Sequence, residues 1–344
     1  MDLPVIPALD VKQQQSASAR QAILTKPAGA LGRLEDLSIR LAGMTGSLAW
    51  LPARRSVIVF AGDHGVVAQG VSAYPQVVTQ QMVLNFLGGG AAINVLARQM
   101  NTHVLVVDAG VAGAFDAHPD LVDGKVAPGT ADFSVGPAMT AAQAEQSIRL
   151  GLDVAQREIA RGLDILAVGE MGIGNTTAAS AIIAAITGES AATVTGRGTG
   201  IDDAQHAHKV AIIERALAAN DPAGQDTLMK VGGFEIGAMA GAMIGAAAAR
   251  IPVVIDGLIS TSAALIAAQA APGVEQFLIA GHRSLEPGHV AALRALGLEP
   301  LLDLNMRLGE GSGAVLSFPI VEAAMRTLQE MASFEDANVS GPAE

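Results

Sequence analysis

The sequence contains no cysteine. Disulfides, thiolate metal sites and cysteine nucleophiles are therefore excluded. Aromatic residues make up only 3% of the chain, which argues against base-stacking platforms for single-stranded nucleic acid. Basic clusters are also missing. Beyond Arg54-Arg55 there is no grouping of lysine or arginine, and the net charge is −12. No nucleic-acid partner is expected from that balance. An anionic substrate is not excluded, but it would have to be held locally, by backbone N–H groups and one or two cations. The start of the chain, Met1-Asp-Leu-Pro-Val5, lacks the basic stretch and apolar run of a signal peptide, so a cytoplasmic location is expected. A long uninterrupted apolar run is absent too. The closest is Ile236–Ile255, which Arg250-Ile-Pro252 breaks. A spanning helix needs ~20 consecutive apolar residues. A buried helix followed by a short strand fits better, with no membrane association.

What is present is enough chain, 344 residues, to bury a large core without staples. Parallel strands covered on both faces read as continuous β-branched runs. Six such runs occur: Ser56–Ala61, His103–Asp108, Asp164–Val168, Pro252–Asp256, Gln276–Ala280 and Pro300–Leu304. Helical spacing separates most of them, as in Ala141–Arg161 and Asp203–Ala219. This alternation implies an α/β fold, a Rossmann-like doubly wound sheet of about six mainly parallel strands. Residues 11–48 read as two helices around Lys26-Pro-Ala-Gly-Ala30, and residues 319–334 as one more. The expected organisation is an α/β catalytic domain over 46–314. A small helical subdomain would come from both termini, residues 1–45 with 315–344. The residues from Asp336 onward read as a loose tail.

Ligands of open α/β sheets bind beyond the carboxyl ends of the strands. Nearly every run here ends in glycine beside an ionisable or hydroxyl side chain, including Gly62-Asp-His-Gly65, Gly281-His-Arg-Ser284 and Arg307-Leu-Gly-Glu310-Gly-Ser-Gly313. One shared site, for a small phosphate-bearing substrate, is the economical reading. Gly172-Ile-Gly-Asn-Thr-Thr177 precedes an apolar helix (Ala178–Thr187). Gly172 and Gly174 allow close approach, and Asn175, Thr176 and Thr177 with free N–H groups suit an anion. The alternative is an ordinary helix cap by Asn175 or Thr176. Gly196-Arg-Gly-Thr-Gly200 is either a second phosphate or ribose loop or a plain surface loop. Lys209 would reach a phosphate or simply be solvated. Glu310, between two glycines, is either a solvated loop charge or a general base whose proton affinity rises when an aromatic ligand closes over it. Glu170 would be a second acid/base, a ribose hydroxyl acceptor or a helix-terminal charge. Tyr74 and the apolar helix from Val77 to Phe86 offer an aromatic-receptive wall, or plain core packing. The histidines show no metal-binding spacing, so neither metal nor cofactor is expected.

Together, Lys26-Pro-Ala-Gly-Ala-Leu-Gly-Arg-Leu-Glu35, Ala61-Gly-Asp-His-Gly65, Gly169-Glu-Met-Gly-Ile-Gly-Asn-Thr-Thr177, Lys230-Val-Gly-Gly-Phe234 and Met306-Arg-Leu-Gly-Glu-Gly-Ser-Gly-Ala314 resemble the nicotinate-nucleotide–dimethylbenzimidazole phosphoribosyltransferase family. The resemblance spans essentially the whole chain, in order. It implies a Rossmann-like sheet with a helical bundle from both termini, in a homodimer. It implies phosphoribosyl transfer from nicotinate mononucleotide to a benzimidazole, with Glu310 as catalytic base and Glu170 beside the ribose or base. It further implies that Gly172 through Thr177, Lys209 and Ser284 surround the phosphate. Tyr74, Met82, Met171 and Leu308 would line the base pocket. A nucleosidase, with water as acceptor, or a non-catalytic nucleotide sensor are the competing expectations.

Overall fold

The computed structural model describes residues 1–198 and 200–340. Thr199, in the Gly196–Gly200 loop, and residues 341–344 of the C-terminal tail lie outside the described residues. The chain opens with α1 (Val11–Ile23) and α2 (Arg33–Thr45), then enters the sheet at β1 (Arg55–Gly62). Helices α3 (Val77–Leu87) and α4 (Ala92–Gln99) lead to β2 (Thr102–Gly110) and the short β3 (Leu121–Asp123). Helix α5 (Ala141–Ala160) returns to β4 (Ile165–Met171). A helical excursion comes next: α6 (Asn175–Thr187), α7 (Ala191–Val194), α8 (Asp203–Asn220), α9 (Thr227–Val231) and α10 (Phe234–Ala248). Then come β5 (Val253–Ile255), α11 (Leu258–Ala270), β6 (Leu278–Ala280), α12 (Pro287–Leu296), α13 (Ser312–Leu316) and α14 (Phe318–Glu330).

The strand order is β3-β2-β1-β4-β5-β6, and every pairing is parallel. This is the doubly wound order, with its reversal between β1 and β4, where a crevice opens at the carboxyl ends. Strand β1 is buried on both faces from Ser56 to Gly62, as its unbroken apolar run predicts. Two expectations need correction. Pro300–Leu304 is not a strand; only Leu302 bridges to His282. The N–H groups of Leu301 and Leu302 do donate to the carbonyls of Ala280 (2.9 Å) and Gly281 (3.1 Å), but the pairing goes no further, and the run carries Asp303 on an exposed edge. The sixth strand is instead β3, whose Leu121-Val-Asp123 is only partly buried and offers no continuous apolar run.

The apolar Ile236 segment is buried helix α10 followed by β5, as expected, and no described helix is long and apolar enough to cross a membrane. Its glycines serve packing. A Cβ on Gly241 would collide with the carbonyl of Ile148, and one on Gly151 with that of Ala238, so α5 and α10 touch backbone to backbone. At the termini, α1, α2 and α14 meet. Gln21 donates to Ser38 (3.0 Å), and Arg20 donates to the carbonyl of Met331 (2.6 Å).

Candidate active site

A cavity of about 450 Å³ lies beyond the carboxyl ends of β4, β5 and β6 and is walled by α3. Of the residues picked from sequence, Tyr74, Met82, Glu170, Met171, Gly172, Asn175, Thr176, Ser284, Leu308 and Glu310 all line it. Tyr74, Met82, Met171 and Leu308 supply an apolar wall, to which Val78 and Ile173 add. Tyr74 and Leu308 are half-exposed at its rim.

Glu310 is 6% exposed. Its backbone has φ 65°, between Gly309 at 92° and Gly311 at 86°. A non-glycine residue in this left-handed region costs roughly 1–2 kcal/mol, so the surrounding structure must hold it there. The hold is visible. Ile93 N–H, in the first turn of α4, donates to Glu310 Oε2 (3.1 Å). The turn itself is pressed against the sheet: a Cβ on Gly169 would strike the Glu310 carbonyl, and one on Gly309 would strike Glu170 Oε1. Among the described residues, Oε1 of Glu310 accepts no hydrogen bond. Burial pushes the Glu310 carboxyl above its ordinary value; the Ile93 N–H opposes this, and the nearby Asp256 charge adds to it. The rise expected only on ligand closure is therefore already present in the unliganded chain.

Glu170, at the end of β4, is pushed up to about 8, mainly by burial and then by the charges of Asp256 and Glu235. This upward shift favours its protonated form at neutral pH. Asn175 Nδ2 donates to its Oε2, so Asn175 is not a helix cap, and α6 has no side-chain cap.

The expected phosphate loop is only partly as read. Asn175 N–H and Thr177 N–H already donate to the carbonyls of Gly172 (3.1 Å) and Gly174 (2.9 Å). Gly174 faces Val67 and His64 rather than the cavity, and Thr177 is fully buried. Lys209 is not solvated: it is 1% exposed and its Nζ donates to Thr176 Oγ1 (2.8 Å). Burial lowers it to about 8, against the pull of Glu286. It thus stands directly behind the Thr176 hydroxyl. Ser284 lies in the wall, its N–H donating to His289 Nδ1 (2.9 Å).

Comparison with known proteins gives the family. A phosphoribosyltransferase family model matches residues 6–339. A nicotinate-nucleotide–dimethylbenzimidazole phosphoribosyltransferase of Chloroflexus aggregans is 59% identical over 96% of this chain and 95% of its own. One of a Roseiflexus species is 58% identical over 98% and 96%. The crystal structure of such an enzyme from Thermus thermophilus superposes with a TM-score of 0.93 at 47% identity, covering 97% of this chain and 100% of its own. The chain belongs to the nicotinate-nucleotide–dimethylbenzimidazole phosphoribosyltransferase family.

Other cavity groups in this family member were not singled out from the sequence. Asp256, at the end of β5, accepts from the N–H groups of Gly313 (2.7 Å), Ala314 (3.1 Å) and Gly311 (3.2 Å). His282 Nε2 lies 3.2 Å from Asp256 Oδ1, without the alignment of a hydrogen bond. Glu286 accepts from Gly198 N–H (3.0 Å), and Arg307 donates to the Gly198 carbonyl (2.8 Å). Asp256 had a readable signal, an acid closing an otherwise apolar strand run. The role of α4 had none, because Ile93 contributes only its backbone.

Proposed function

We propose that the chain transfers the 5-phosphoribosyl group of nicotinate mononucleotide to 5,6-dimethylbenzimidazole or a related base. The products are α-ribazole 5′-phosphate and nicotinate, for the nucleotide loop of cobalamin. The observation that carries this reading is Glu310: a buried carboxylate of raised proton affinity, with one oxygen anchored and one free, in a cavity with an apolar wall.

The chemistry follows from those groups. A benzimidazole nitrogen lone pair attacks C1′ of the ribose. The bond from C1′ to the pyridinium nitrogen breaks, and its electron pair neutralises that nitrogen as nicotinate leaves. Attack from the opposite face turns the β-nucleotide into an α-nucleotide. Glu310 takes the proton from the other azole nitrogen through its unanchored oxygen, which raises the nucleophilicity of the attacking one. Alignment of the two reactants supplies much of the rate. Glu170, neutral at pH 7, donates a hydrogen bond to the ribose or base rather than accepting one. Thr176, backed by Lys209, and Ser284 bind the phosphate. The methionines at positions 82 and 171 adapt to several base shapes, so a mixed-base competition should yield several nucleotides; strict use of one base would contradict that point.

The direct test incubates purified protein with nicotinate mononucleotide and 5,6-dimethylbenzimidazole. The expected result is α-ribazole 5′-phosphate and nicotinate in equal amounts. Nicotinate release without added base would make water the acceptor and favour a nucleosidase. Binding without turnover would favour a sensor. The same reading carries a homodimer, a cytoplasmic location and folding of residues 1–45 with 315–344 as a helical unit. Sedimentation and limited proteolysis test the first and last of these.

A further inference from the structure

Glu310 sits on a turn that should not be stable alone, with three successive residues at positive φ. Something must hold it, and the Ile93 N–H reaches only the side chain. Within the turn, Ser312 Oγ donates to the Gly309 carbonyl (2.7 Å), and from the end of β5 one further side chain holds the turn backbone and the start of α13. Asp256 is 2% exposed. Its Oδ1 accepts from Gly313 and Ala314, and its Oδ2 from Gly311. All three donors lie within four residues of Glu310. Multiple N–H donors are the environment that suits an ionised carboxylate. The Asp256 backbone is fixed in turn, its N–H donating to Ser260 Oγ (2.9 Å) in the first turn of α11.

We propose that Asp256 is a positioning residue for the transfer reaction: it fixes the turn that presents Glu310 and places a second buried acid close to that carboxyl. This rests on Glu310 being the base. Charged and titratable groups reach the neighbourhood of Glu310 from several elements. Glu170 and Asp256 face Glu310 from the ends of β4 and β5, while His282, from the segment after β6, and Arg307, from the loop before α13, line the same cavity. Arg307 is tied to the Gly198 carbonyl, and His282 Nε2 lies 3.2 Å from Asp256 Oδ1. On the α4 side, the Ile93 N–H is the opposing influence. The charge of Asp256 is a named cause of the raised proton affinity of both Glu310 and Glu170. One buried acid, bonded to the turn, therefore biases both carboxyls.

The test is an Asp256→Asn variant, with Asp256→Ser as a second should the first not fold. Both remove the charge and keep an acceptor. The Glu310 carboxyl is titrated in the unliganded protein by carbon-detected NMR with labelled glutamate, the signal assigned by its loss in Glu310→Gln. The expected result is a midpoint lowered by about one pH unit, the effect of removing a like-charged neighbour. The acidic limb of kcat should move by the same amount. A midpoint that does not move overturns the proposal, whatever happens to the rate. If the wild-type protein makes no ribazole phosphate, the functional reading fails, but the titration still decides the role of Asp256.

Discussion

Glu310 and Glu170 are both buried carboxyls, yet the account needs them in opposite states. Glu310 must be ionised to accept a proton. Its affinity is raised by burial first, so activity should fall, as pH drops, at a higher pH than an ordinary carboxylate near 4.5 would give. Glu170 must stay neutral to donate, and it loses its proton near pH 8. A bell-shaped kcat–pH profile should result. Its alkaline limb should disappear in Glu170→Gln, which mimics the protonated acid; a limb unchanged in that variant would assign it to another group. The same shift has a stability consequence. The folded pKa of Glu170 lies above the unfolded one, so its contribution is fully present below about 4.5 and is lost as pH rises toward 8. The Tm of Glu170→Gln should match wild type at pH 4, and then exceed it by a gap that grows until pH 8. A constant gap would contradict the assignment. These states were not legible in the sequence, because they depend on which acids the sheet ends bring together.

At the scale of elements, the site is made by close approach. Gly309 combines positive φ with a Cβ that would strike Glu170. Gly309→Ala should lower kcat at least tenfold and destabilise by about 1–3 kcal/mol, a strained backbone plus a buried clash; near-wild-type activity would show the turn to be less constrained. The α5–α10 contact is built in the same way. Gly241→Ala, in the middle of α10 and far from the chemistry, should raise helix propensity and yet destabilise by about 1–3 kcal/mol, read as a lower urea midpoint with little change in kcat. The helices themselves were readable from their spacing, α5 and α8 nearly to the residue. Among the short strands, β5 and β6 were legible as apolar runs and β3 was not, since its Leu121-Val-Asp123 is only partly buried. Pro300–Leu304 has the composition of a strand, but its pairing stops after Leu301 and Leu302.

At the scale of the whole molecule, the doubly wound order explains why distant motifs meet. The reversal between β1 and β4 opens the crevice, and the ends of β4, β5 and β6 deliver Glu170, Asp256 and His282 into it. The glycine-rich segments that close the apolar runs therefore mark most of the cavity in the sequence itself. The sequence is silent where the chain contributes a backbone group, as at Ile93, or where a side chain acts from behind another, as Lys209 does through Thr176. The central claim is that Glu310 is the base of the transfer. The most direct measurement is single turnover by Glu310→Gln with both reactants saturating, alongside their binding constants. The account predicts that binding is retained and turnover falls by about 10²–10⁴-fold, the usual worth of a positioned base. Normal turnover with both reactants bound would contradict it.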